Sequence, residues 1–597
     1  MAHRYAKVFF AVLREAMALA AVALLALHWI APARPPCLEH RSSQLISRAR
    51  VPRAEADTSA DADVIIIGSG IGGLSCACLL ARYGLKPLVL ESHSIPGGCA
   101  HSFERRTAAG TFVFDSGPSL WAGMSAPSVN PLRQVLDAVD ESDSIEWARY
   151  DGWGMVLPQG DFYFKTGDAA SWAETVERFG GADAPAQWRR LMQTAAPVIE
   201  ASGATPPMVL RSDVGALLPL LRCLPGLAKA APQAKFLNGP FSLLMSKAEL
   251  TDPFLKGWLD YLSFALSGLE ADGTLGAAVS FTLGDLYRPN ATLDYPIGGS
   301  GAVIAALKRG LEKHGGELRT GTHVEEIRID GRGRATGVRL RNGEQLRASR
   351  AVVSNADAWA TAKMLPEASR PQRRLDSGGP LNGGMPMTPS FMHLHLGLRG
   401  PLPEGTGIHY SVLLDSFEHI LSDRNMVIIS IPTLLDPKLA PAGSHVLHAY
   451  YAADEPYDDW EGLARDSAEY AALKLERAKP LWAAVEKVIP NVRDLVEIEM
   501  VASPLTHERF LRRTRGTYGP PLFANDGSTV PFAKTTIPGL LHCGDSCFPG
   551  IGVPSAAASG MNAANTLVAP WEQLRLMAEL DSQGMLQPAP GAPLSLD

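Results

Sequence analysis

Residues Asp63 to Glu91 constrain the fold of this chain more than any other stretch, because they spell out a nearly complete nucleotide-binding strand–helix–strand unit. The apolar run Val64 to Ile67 reads as a buried strand. Gly68 makes the tight turn after it, Gly70 lets backbone approach a pyrophosphate, and Gly73 lets the next helix pack closely on the sheet. Phosphates then sit at a helix N-terminus, where unpaired N–H groups and the helix dipole favour negative charge. A glycine triplet alone says little, but Ala77 and Leu80 share one helical face, Gly84 can end the helix, and Leu88 to Leu90 form a second strand. Glu91 closes that strand about twenty residues after the glycines, where a carboxylate accepts hydrogen bonds from both ribose hydroxyls and repels a 2′-phosphate. The chain is expected to bind a dinucleotide on an α/β domain.

With 597 residues the chain can build more than one core, and 46% hydrophobic content describes an ordinary globular protein. Two domains with terminal extensions are expected. A net charge of −7 gives no broad attraction to nucleic acid, and no basic stripe interleaved with aromatics is present, so nucleic-acid binding is not expected. The seven cysteines, at 37, 76, 78, 99, 223, 543 and 547, are odd in number and sparse, which suits a reducing compartment rather than a disulfide framework. Neither Cys76-x-Cys78 nor Cys543-x3-Cys547 has a second ligand pair at zinc spacing, so no metal is expected.

Arg4 and Lys7 precede an apolar stretch from Ala16 to Leu27 that runs on to Pro32, closer to a signal-peptide core than to the roughly twenty apolar residues of a bilayer helix. Ala33 to Ala62 is rich in Arg, Ser, Ala and Pro, the composition of a linker or transit peptide. A signal-like segment followed by an Arg/Ser-rich one suits import into a plastid through the secretory route. A membrane anchor, as in the endoplasmic reticulum, is the rival reading.

Further on, Ile95-Pro96-Gly97-Gly98 and Asp115-Ser116-Gly117-Pro118-Ser119 have the punctuation of loops that return to a site. From about Asn130 to Tyr295 helical patterns with large apolar residues, such as Phe254, Trp258 and Leu262, suggest an inserted substrate domain. The segment around Leu217, Leu218, Leu220 and Leu221, interrupted by Pro219 and Pro225, reads first as core helix, with an interfacial position as the alternative. A helix opening near Ser300, then strands Val324 to Ile327, Ala335 to Leu340 and Leu346 to Val353, read as a return to the nucleotide domain. Gly299-Ser300-Gly301 lacks a third glycine and a closing acid, so no separate NAD site is expected. His393 and His395 share one face of an alternating strand; they read as sheet residues satisfied by neighbours more readily than as site residues.

Near the C-terminus, Gly539-Leu540-Leu541-His542-Cys543-Gly544-Asp545 is an apolar strand entering a glycine-rich turn, and Ala556 to Ala564 is a small-residue helix after it. This second cradle suits the other half of an FAD. Together with Pro96-Gly97-Gly98, Asp115-x-Gly117-Pro118-Ser119 and Thr506-x3-Arg509-Phe510…Gly516-Thr517-Tyr518-Gly519-Pro520, it makes the chain resemble the flavin-dependent carotenoid isomerase (prolycopene isomerase-like) and phytoene desaturase family, with retinol saturase more distant. The resemblance covers roughly Asp61 to Val568. It implies a Rossmann-type, amine oxidase-like and GDI-like two-domain α/β flavoprotein with an interleaved α+β substrate domain, and FAD as cofactor.

The resemblance implies cofactor contacts from Gly68, Ser69, Gly70, Ile71, Gly72, Gly73, Glu91, Gly97, Gly98, Val324, Gly544, Asp545, Gly552 and Val553, with Gly117, Pro118 and Ser119 passing near the flavin ring. Asp545 would bond the ribitol or order water at the pyrophosphate, and N–H groups around Gly552 and Val553 would stabilise charge on a reduced ring. After Gly98, desaturases commonly carry an arginine where this chain has Cys99, a departure toward the isomerase-like branch; Cys99 reads as a small packed residue rather than a redox thiol. The expected domains are a targeting segment and linker (1–60), an FAD-binding domain (61–130, 295–360, 506–570), a polyene-binding domain (131–294, 361–505) and a tail (571–597). No catalytic side chain is assigned. The implied activity is redox-neutral cis–trans isomerisation of a carotenoid or related polyene by reduced flavin, with peripheral membrane association. Desaturation, saturation or hydration on the same fold is the alternative, and a non-catalytic GDI-like isoprenoid carrier is the alternative of another class.

Overall fold

The first sheet is built around strand Ala62–Ile67, whose residues Val64, Ile65 and Ile66 are fully buried because both faces of the sheet are covered. A computed structural model describes residues 60–117, 119–370, 385–521 and 530–586, all in the unit Ala56–Asp597. The targeting segment expected at 1–60 lies outside the described residues apart from Ala60, as does Pro118. Glu317–Arg319, Pro87–Leu90, Ala62–Ile67, Gln345–Ser354 and Leu540–His542 lie side by side and parallel, in that order. Val324–Ile329 and Ala335–Leu340 extend the sheet as an antiparallel meander from Gln345–Ser354. The site thus draws on strand ends from both termini of the chain.

Helix Ile71–Arg82 follows the glycine loop and is buried from Ile71 through Ala81. Its small residues allow close approach by helix Val553–Thr566: a Cβ on Gly560 would strike the Gly72 carbonyl oxygen. Apolar residues of these two helices and of Ser300–Lys313 form one core with Val64, Ile66 and Val353.

The second sheet has seven strands in the order Val496–Ala502, Ser390–Arg399, Ser444–Glu455, Met426–Ser430, His409–Leu413, Gly152–Val156 and Phe162–Lys165. One part packs on helix Ala468–Val488 through Leu481, Trp482 and Val485; the other packs on Trp172, Trp258 and Phe254 of the helical layer. This second sheet and its helices cover the inner end of the site.

Three expectations need correction. Helix Pro131–Ala138 contributes Leu132, Val135 and Leu136 to the core around helix Ile71–Arg82, so packing does not change at residue 131. Residues 570–582 are a helix, and Leu576, Met577 and Leu580 enter the same core instead of trailing as a tail. The apolar run 214–238 is not a core helix: its short α and 3-10 segments leave Val214 89%, Leu217 56%, Leu221 47% and Leu224 52% exposed. By length and hydropathy this run of 25 residues is apolar enough to cross a membrane.

Candidate functional site

A cavity of about 770 Å³ opens where the carboxyl ends of the parallel strands meet the second sheet, within the size range of ligand sites. Gly68, Gly70, Ile71 and Gly72 line it at the first strand, Glu91, Gly97 and Gly98 at the second, and Val324 beyond. Gly544, Asp545, Gly552 and Val553 line it from the C-terminal segment, and Gly117 from the intervening loop. The structure brings all of these expected residues to one wall.

The wall fits a dinucleotide. A Cβ on Gly70 would sit 2.8 Å from Asn355 Nδ2, and one on Gly72 would sit 2.6 Å from Asn355 Oδ1 and 2.8 Å from the Gly544 nitrogen. Only glycine lets these backbones approach so closely. Helices Ile71–Arg82 and Val553–Thr566 both begin on the cavity at glycine caps, Gly70 and Gly552, with no side-chain cap, so their first-turn N–H groups remain available to an anion.

Ser69, Gly73 and Ser119 are not on this wall. Ser69 is fully buried; its N–H and hydroxyl donate to Glu91 Oε2 at 2.9 and 2.6 Å, and its oxygen accepts from Gly97 N at 3.1 Å. It ties three pieces of the cradle together from behind. Gly73 packs against Asn355 and the Gly68 carbonyl, the role of a third glycine in helix–sheet packing. Ser119 instead borders a separate void of about 10 Å³ beside His448, together with Phe114 and Asp115 of strand Gly110–Asp115. Asp115 accepts from Ser102 Oγ, Tyr295 Oη and Ser300 N, fixing the start of helix Ser300–Lys313.

Glu91 is 8% exposed, and its Oε1 also accepts from His93 N at 2.7 Å. Cys99 is not a packed residue: its surface opens onto the cavity, although it lies deep among protein atoms. Burial raises its thiol pKa, against the pull of the nearby Arg513 guanidinium.

Several wall residues carry no local sequence signal. Asn355 ends strand Gln345–Ser354 and fills the space beneath the glycine loop. Phe264, Phe391, Met426, Ile428 and Tyr450 bring apolar and aromatic surface from the second sheet and the helical layer, and Tyr518, from the motif at 516–520, adds to it.

His393 also lines the cavity, and alternation puts His395 and the facing His448 on the same face of the sheet. His393 Nδ1 and His448 Nε2 are 2.6 Å apart, with the rings edge to edge and only 8° from parallel. The contact joins the two imidazoles by a hydrogen bond. His393 and His395 each have a neighbour as partner, His448 and the Asp115 carbonyl, as expected of sheet residues, whereas His448 Nδ1 and His507 Nε2 are buried without partners. Burial keeps all four imidazoles uncharged, pushing His395 down to about 4 and His507 to about 3, and lowering His393 and His448 well below the ordinary range.

Comparison with known proteins agrees with this geometry. Residues 71–568 match the flavin-containing amine oxidoreductase family. The chain is 31% identical over 570 residues to prolycopene isomerase 2, chloroplastic, of an Oncidium hybrid cultivar, covering 90% of each chain. It is 25% identical over 504 residues to human all-trans-retinol 13,14-reductase, covering 76% of this chain and 77% of the relative. Among solved structures, a putrescine oxidase mutant superposes with a TM-score of 0.55 at 14% identity, over 87% of this chain and 99% of that one, which shows the shared fold.

Proposed function

The chain belongs to the flavin-containing amine oxidoreductase family, with FAD as its cofactor, and from that premise we propose that it isomerises a C=C bond of a carotenoid or closely related polyene without net redox change. The observation that carries this reading is the similarity to prolycopene isomerase over nine-tenths of both chains. The apolar and aromatic surface at Phe264, Phe391, Met426 and Ile428 supports it, since a hydrocarbon substrate is held by burial and needs no ionised partner.

In this proposal Glu91 and Val324 hold the AMP half of FAD, the Gly68–Gly73 loop its pyrophosphate, and Gly544, Asp545, Gly552 and Val553 the rest. When bound, FAD supplies in its reduced form the electron density that lowers the order of a polyene double bond. The protein's part is electrostatic: first-turn N–H groups after Gly552 offer fixed dipoles to developing negative charge in a dry site. The neighbouring imidazoles, kept neutral by burial, add no competing charge.

The experiment is anaerobic incubation with FAD, a reductant and candidate cis-carotenoids, followed by chromatography and mass measurement. Geometric isomers of unchanged mass are the expected product. A gain of two hydrogens would favour the second reading, saturation, which the likeness to retinol 13,14-reductase motivates; loss of two hydrogens or gain of water would also overturn isomerisation.

A plastid location is part of the proposal, supported by the name of the chloroplastic relative. So is peripheral membrane association, supported by the exposed leucines at 217, 218, 221 and 224. A substrate dissolved in lipid would reach the enzyme from such a surface.

A further inference from the structure

Four guanidinium or ammonium groups line the cavity among the described residues: Arg341, Lys363, Arg512 and Arg513. The first three are exposed; Arg513 is drawn inward, its side chain 15% exposed. Nη1 pairs with Asp545 Oδ2 at 2.7 Å, Nε donates to the Thr517 carbonyl at 2.6 Å, and Nη2 is buried without a partner. A guanidinium has five N–H donors in a fixed fork, so these two bonds leave donor capacity unused.

The backbone around Arg513 is held by unusual means. Arg512 and Arg515 have φ of +57° and +54°, a left-handed conformation that residues with a side chain rarely adopt, and such strain collects at ligand sites. Asp357 anchors the loop between them, accepting from Thr514 N at 2.7 Å and Thr514 Oγ1 at 2.9 Å. This loop turns one cation toward Cys99 and Asp545.

Electrostatics gives the cation a task. The pyrophosphate of a dinucleotide brings two negative charges into a cavity already lined by Glu91 and Asp545. A helix N-terminus such as that at Gly70 supplies the equivalent of only about half a positive charge. We propose that Arg513 is the cation that binds the pyrophosphate of FAD, reaching it across Asp545 from the loop after helix Pro504–Leu511. The inference rests on FAD being the cofactor and is independent of the polyene chemistry.

The test titrates apoprotein with ADP, which carries the pyrophosphate without the flavin, by calorimetry, and with FAD by fluorescence quenching. Arg513→Gln is expected to weaken ADP and FAD alike by about tenfold or more, the loss of a charge-assisted contact. Arg513→Lys, which keeps charge but not the fork, should lose at least about threefold and carries the test if the glutamine variant does not fold. In the Arg513→Gln background, Cys99→Arg returns a guanidinium to the same neighbourhood and should recover part of the ADP affinity. ADP affinity unchanged in both Arg513 variants would overturn the proposal, as would weakened FAD with undiminished ADP, which would place Arg513 at the flavin half. Wild-type protein that fails to take up FAD would instead refute the cofactor assignment.

Discussion

Ser69 donates both its N–H and its hydroxyl to a single oxygen of Glu91, at 2.9 and 2.6 Å, so the acid that closes the second strand is also the clamp on the glycine loop. Glu91→Gln therefore removes this clamp as well as the proposed ribose acceptor. An amide nitrogen at either carboxylate position faces donors, whether Ser69 or His93 N, and would leave them unpaired. Flavin retention should fall at least about tenfold, with a lowered melting temperature of the apoprotein. Ser69→Ala, which alters no side chain on the cavity wall, should also release flavin; unchanged occupancy in both variants would contradict the clamp.

Gly70→Ala and Gly72→Ala should differ in whether they can be rescued. The added methyl at residue 70 meets only Asn355 atoms, whereas at 72 it also meets the Gly544 backbone nitrogen. Each substitution should cost about 1–3 kcal/mol by overpacking. Asn355→Ala should restore flavin binding to the Gly70 variant and leave the Gly72 variant empty, as read from the flavin absorbance of purified protein.

The buried imidazoles predict an acid-sensitive fold. Their folded pKa values lie below that of an unfolded histidine, so the unfolded chain binds more protons between about pH 6.5 and the folded values near 4 and 3. Stability contributed by the neutral cluster is complete above the unfolded value and declines as pH falls, by about 1.4 kcal/mol per pH unit for each imidazole that must charge on unfolding. Denaturant melts should be flat between about pH 7.5 and 6.5 and show this slope from about pH 6.5 down to about pH 5. His448→Asn should flatten it; an identical slope would exclude the cluster as its source.

Replacing Leu217, Leu221 and Leu224 with serine should lower sedimentation with anionic lipid vesicles by at least about tenfold, since burying one leucine is worth about 1.5–3 kcal/mol. All three are largely exposed, so the melting temperature should hold. Equal sedimentation of variant and parent would remove this surface from consideration.

The glycine loop and its closing acid are legible in the sequence because their signals are local: turn, helix and strand each occupy a few consecutive residues. The Gly544-Asp545 cradle is legible for the same reason. Arg513 is not, because its place depends on left-handed backbone at Arg512 and Arg515, which arginine does not advertise. Nor does alternation in 391–396 reveal that His448, on another strand, completes a hydrogen bond with His393. The run 214–238 shows a different limit: apolar composition marks a surface that avoids water without saying whether protein or something else covers it.

The close crossing of helix Ile71–Arg82 over helix Val553–Thr566, through Gly72 and Gly560, bears on the order of biogenesis. The glycine loop is translated early, but half of its cradle is made among the last elements of the chain. A ribosome-bound intermediate lacking residues beyond 540 has strand Gln345–Ser354 without its parallel neighbour Leu540–His542 and no second helix N-terminus to face the first. If the C-terminal segment holds FAD as proposed, cofactor loading follows completion of that segment, and C-terminal truncation before Ala557 should yield apoprotein however much FAD is supplied.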